Sequence, residues 1–86
     1  MQQFEYVIRD ALGIHARPAG LLAKAARSFP EAEITVEKDG VSVRAVQLMK
    51  LMGMGVRRGD RVVVRTEGPQ EAEAIAAMKA FFEENL

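Results

Sequence analysis

Apolar residues recur at every second position in four short stretches of this chain, with helical spacing between them. That alternation restricts the fold more than any other feature. Phe4, Tyr6 and Ile8 fall on one side of an extended segment over 3–9. Ile34 and Val36 do the same over 33–37, residues 41–45 form a returning strand, and Val62 and Val64 point inward from 61–66. Lys38-Asp39-Gly40 joins the second and third strands as a hairpin, with a glycine able to take positive φ. Residues 16–29 are helical, with Leu21, Leu22, Ala25 and Phe29 on one stripe and Lys24 and Arg27 elsewhere. Pro18 suits the first turn, and Gly20 costs roughly 1 kcal/mol against alanine. Pro30 ends the helix. Residues 47–52 make a short helical piece closed by the glycines of GMG. Gly68-Pro69 opens a last helix to about Glu84, burying Ile75, Met78 and Phe82 with Ala72 and Ala76 beside them.

The order βαββαβα predicts an α+β fold, one antiparallel sheet with helices on one face. Patterning alone does not choose the strand order, and a ferredoxin-like split βαβ is a first expectation. With 86 residues the chain reads as one domain, 1–86. A domain of this size buries only roughly 60–65% of its unfolded surface, which disfavours a large internal cleft. No apolar run reaches membrane-spanning length, and MQQFEYVIRD has neither the basic nor the apolar region of a signal peptide. Cysteine is absent, which excludes disulfides and thiolate metal sites. The expected compartment is the cytoplasm, with no membrane insertion. Net charge is zero, yet 11–30 and 40–65 together carry nine basic residues and one acid, Asp60. This describes either a solvated surface of alternating charge blocks or a docking face for acidic partners.

GIHARPAG, residues 13–20, contains the only histidine, His15, just ahead of the first helix. Free N–H groups at a helix start form a backbone anion site. The helix dipole favours a neutral ring there, and neutral imidazole is a nucleophile. Arg17 adds a planar donor fork suited to phosphate. A lone histidine at a helix start is also what a plain polar loop looks like. A metal site lacks a second histidine or cysteine, and nothing frames Ser28 or Ser42 as a hydrolytic nucleophile.

GIHARPAG followed by LLAKAARSF resembles the active-site segment of the HPr family, the histidine phosphocarriers of the bacterial phosphoenolpyruvate-dependent phosphotransferase system. VQLMKLMGMGVRRGDRVVV resembles the family's second signature, and EGPQEAEAIAAMKAFFEE its C-terminal helix. The resemblance implies an open-faced β-sandwich with strand order 1-4-2-3, which replaces the split βαβ expectation. It implies that His15 accepts a phosphoryl group at Nδ1 from phosphorylated enzyme I and passes it to a histidine of enzyme IIA. Arg17 would balance phosphate charge, Pro18 would set the turn, and Ala16 would lie within the reacting segment. Ile14, Gly20, Leu48, Met49 and Met52 would supply partner contacts, ringed by Lys24, Arg27 and Lys50. Leu51 would point into the core. Methionines adapt to more than one partner, although each could equally pack the core. The chain would be a monomeric carrier without cofactor rather than a complete enzyme.

One departure bears on regulation. Gln47 stands where many Gram-positive members carry the serine that opens the short helix, so kinase control at that serine does not carry over; Ser42 lies in a strand. HPr-like paralogues also serve nitrogen-related regulation or dihydroxyacetone kinases, which the sequence does not separate. Four arginines within 57–65 invite a nucleic-acid reading. Zero net charge, five aromatics and no RNA-binding signature stand against it.

Overall fold

A computed structural model describes residues 1–86. The elements follow in the order β1 (Gln2–Val7), α1 (Ala16–Arg27), β2 (Glu33–Lys38), β3 (Val41–Arg44), α2 (Leu48–Gly53), β4 (Arg61–Glu67) and α3 (Glu71–Asn85). Every strand pair is antiparallel and the sheet order is β1-β4-β2-β3. The split βαβ expectation is therefore corrected in favour of the order the resemblance implies. β4 lies between β1 and β2, and Val62 and Val64 on it are fully buried.

Register puts Phe4 opposite Val64, Val64 opposite Val36, and Val36 opposite Val43, so one row of apolar side chains crosses all four strands. The neighbouring row on the other face is charged. Arg65 donates to Glu37 and Gln3, and Arg61 lies 3.7 Å from Glu5. One sheet face thus builds the core and the other meets water. The β2–β3 turn uses Asp39 at φ 51° and Gly40 at φ 81°, both in the left-handed region that such a hairpin needs.

Two helical stripes differ from expectation. On α1 the buried residues are Pro18, Ala19, Leu22, Ala23 and Ala26, while Ala25 is half-buried and Leu21 is 45% exposed. Small alanines let this helix approach its neighbours closely, so its inner face is not its largest residues. On α3 the buried set is Ala74, Met78 and Phe82; Ile75 is half-buried and Ala72 and Ala76 are exposed. α1 ends at Arg27, with the Ser28 N–H donating to the Ala25 carbonyl and the Phe29 N–H to the Ala26 carbonyl, just ahead of Pro30. Gly68 and Pro69 form the turn before α3 rather than its first residues. α3 packs on β1 and β4, where the Phe82 ring meets Phe4 and Tyr6 edge-on at 5.7 and 5.5 Å. α1 packs against both α2 and α3.

Candidate functional site

The segment between β1 and α1 is held by the backbone at both sides. The N–H groups of Arg9 and Asp10 donate to the Leu86 main-chain oxygen at 2.6 and 2.8 Å. The Asp10 carboxylate accepts the Leu12 N–H at 2.8 Å, and its carbonyl accepts the Gly13 N–H at 3.0 Å. Gly13 sits at φ 68°, and a Cβ there would come within 2.1 Å of the Val56 carbonyl oxygen. The Ile14 N–H donates to that same oxygen at 3.1 Å. Glycine is therefore required for the turn conformation and for the close pass of the 54–57 loop.

This pinning delivers His15 to the N-cap of α1, with extended backbone (φ −107°, ψ −176°). Its carbonyl accepts the Ala19 N–H at 2.9 Å. Its imidazole makes no capping hydrogen bond and is half-exposed, so the ring is available for chemistry. The N–H groups of Ala16 and Arg17 have no intramolecular acceptor, and Pro18 has no N–H to leave unpaired. No acidic residue occupies the first turn of α1 to compete for these donors. His15 and Arg17 line one open depression of about 260 Å³ together with Asp10, Pro18, Leu21 and Asn85. The Nε2 atom of His15 lies 3.7 Å from the nearer Asp10 oxygen. Such a site can hold a phosphoryl group beside a ring nitrogen, two main-chain N–H groups and a guanidinium.

The remaining candidates separate into two groups. Ala16, Lys24 and Arg27 are exposed on α1, and Gly20 is half-exposed with open space where a Cβ would stand. On α2, Leu48, Met49, Lys50 and Met52 are exposed, Met49 by 76%, and Leu51 is buried as expected. Since α2 packs on α1, these side chains share the helical side of the molecule. Ile14 departs from expectation: at 4% exposure it belongs to the core, and its side chain cannot contribute a partner contact. Gln47 is the half-buried N-cap of α2 and makes no side-chain capping bond. Asp10, Leu21 and Asn85 were not singled out from sequence. Asp10 was legible only as an acid in the turn five residues before His15. Helical spacing puts Leu21 in the core, whereas it is exposed, and nothing local marks Asn85, which arrives from the far end of the chain.

Comparison with known proteins agrees with this geometry. A family model described as the HPr component phosphorylation site of the phosphotransferase system matches residues 2–84. The phosphocarrier protein HPr of Mycoplasma genitalium is 40% identical over 85 residues, covering 99% of this chain and 97% of that protein. The crystal structure of an HPr from Thermoanaerobacter tengcongensis superposes with a TM-score of 0.91 at 38% identity, covering 98% of this chain and 93% of the other. A histidine-containing phosphocarrier of Mycoplasma gives 0.92 at 30% identity, covering 96% and 93%.

Proposed function

This chain belongs to the HPr family of phosphocarriers of the phosphotransferase system, and from that premise we propose that His15 is the residue that carries the phosphoryl group, on Nδ1. Phosphorylated enzyme I is the donor and a histidine of enzyme IIA the acceptor. The observation that carries the reading is the placement of the chain's only histidine, half-exposed and uncapped, against the unpaired N–H groups of Ala16 and Arg17.

The chemistry follows from that placement. The Nδ1 lone pair attacks phosphorus; the new N–P bond forms as the donor's bond breaks, with its electron pair leaving on the donor. The incoming oxygens carry negative charge, which the positive end of α1 and the Arg17 guanidinium stabilise. Stabilisation is moderate by design: a carrier must release the group as readily as it accepts it. Partners dock on the side bearing α1 and α2, where Gly20, Leu48, Met49 and Met52 supply apolar and backbone contact. Lys24, Arg27 and Lys50 meet acidic groups around them. The same face serves both partners because one His15 reacts with both. The carrier works as a monomer in the cytoplasm; the outer face of the sheet carries the pairs Arg61–Glu5 and Arg65–Glu37, whose charge suits it to solvent.

A pulse-chase experiment tests the reading. Incubation with enzyme I and phosphoenolpyruvate should add one phosphate, and addition of enzyme IIA should remove it. Label that enters but cannot be chased, or that resists acid as a phosphoserine would, refutes it.

A further inference from the structure

We infer that Asp10 is a positioning residue for phosphoryl transfer, holding the proton of His15 on Nε2 so that Nδ1 presents its lone pair. The inference rests on the proposed role of His15 and extends it to a residue outside the GIHARPAG segment.

Three contacts fix Asp10 before any partner arrives. Its N–H donates to the Leu86 oxygen at 2.8 Å, its carbonyl accepts the Gly13 N–H at 3.0 Å, and Oδ1 accepts the Leu12 N–H at 2.8 Å. That same Oδ1 lies 3.7 Å from His15 Nε2. The separation is longer than a formed hydrogen bond but within ion-pair range, and such contacts commonly tighten in a reacting complex. Asp10 is the only anionic group among the lining residues: Arg17 is cationic and cannot accept a proton, Pro18 and Leu21 are apolar, and Asn85, whose Nδ2 donates to the Phe81 carbonyl, is uncharged. The charged groups that line the depression with the ring are thus Asp10 from the turn and Arg17 from α1.

A carboxylate at the Nε2 edge serves both halves of the carrier cycle. During acceptance it favours the Nε2–H tautomer, which leaves the Nδ1 electron pair to form the N–P bond while the donor's bond breaks. No proton has to leave His15. During donation it keeps Nε2 protonated, so that the departing nitrogen takes the electron pair of the N–P bond into an already protonated ring. A third group orienting a reacting histidine is a recurrent device of nucleophilic sites. The negative charge of Asp10 works against the phosphoryl oxygens, and its place at the opposite ring edge from Nδ1 limits that cost.

Imidazole 15N spectra of the free protein test this without any partner. The wild type should show the Nε2–H tautomer almost alone. Asp10→Asn keeps an oxygen for the Leu12 N–H and removes the charge, and Asp10→Ser offers a hydroxyl for the same turn. In both variants the Nδ1–H form should grow severalfold. Transfer to enzyme IIA should slow about 10-fold, or ~1.4 kcal/mol in the barrier, with half-saturation unchanged. If a variant loses the Leu12 and Gly13 amide shifts of the wild-type turn, the other decides. Two folded variants with wild-type tautomer ratio and wild-type transfer overturn the inference. A wild type that never takes phosphate on His15 overturns the proposed function instead, whatever the tautomer spectra show.

Discussion

Arg17 lies in the first turn of α1, exposed and without an acidic partner, so its side chain contributes little to the folded state. Arg17→Ala should change stability by no more than about 0.5 kcal/mol. It should slow phosphoryl exchange with enzyme I and enzyme IIA by roughly 100-fold, the scale of removing one donor aimed at developing negative charge. Stopped-flow transfer alongside urea unfolding checks both halves; wild-type rates would reduce Arg17 to an ordinary surface residue. Gly13 behaves in the opposite way. Gly13→Ala must place a methyl against the Val56 carbonyl at positive φ and should cost about 3 kcal/mol. Gly20→Ala adds a Cβ into open space inside a helix and should stabilise by roughly 0.5–1 kcal/mol. Similar unfolding midpoints for the two variants would contradict the account of the turn. Sequence alone marked both glycines as breaks in pattern. It could not rank them, because what separates them is a loop more than 40 residues further on.

Among elements, α2 shows what period reveals and what it leaves out. Leu51 is buried and Leu48, Met49 and Met52 are exposed, whereas helical spacing groups positions 48, 51 and 52 on one side and leaves the methionines free to pack the core. Met49→Glu should therefore leave the fold intact and raise Kd for both partners by about tenfold. Titrations against enzyme I and enzyme IIA check this, and loss of only one partner would break the shared face into two. The loop that follows depends on side chains no pattern predicts. Lys38 reaches from β2 to the Asp60 carboxylate at 2.8 Å and to the Gly55 carbonyl at 3.1 Å, while Asp60 also accepts the Arg57 N–H. The Lys38 ammonium, then the Arg57 N–H, hold the Asp60 carboxyl below its ordinary value of 3.8. A carboxyl depressed on folding contributes stability above its unfolded value and loses it as pH falls through the folded one. Asp60→Asn should accordingly lower Tm near neutral pH, and the gap should close as pH falls below 3.8. A gap independent of pH would mean that the contact acts through shape alone. The buried faces of α1 and α3 depart from the apolar stripes for a related reason. Alanines 19, 23 and 26 are buried because the helix sits close to its neighbours, and apolar size does not encode closeness.

For the molecule as a whole, element order and strand-facing residues were readable from patterning, whereas strand order was not. The run Val62-Val63-Val64 hints at a central strand, yet only the resemblance to a family placed β4 between β1 and β2. The site is likewise a product of the whole chain. The histidine proposed as its nucleophile sits in GIHARPAG, its turn is pinned by Val56 and Leu86, and its depression is completed by Asn85. The basic segments 11–30 and 40–65 are brought together by the packing of α1 on α2 and by the pairing of Ile14 with Val56. Acids outside these segments, four of them on α3 (Glu71, Glu73, Glu83 and Glu84) and the rest in β1, β2, β4 and the turns, bring the net charge to zero. The proposed role of His15 is the claim on which the others depend. Intact mass of wild type and His15→Ala, each incubated with enzyme I and phosphoenolpyruvate, tests it most directly. Wild type should gain one acid-labile phosphate and His15→Ala none; phosphate on His15→Ala at wild-type stoichiometry would contradict the assignment outright.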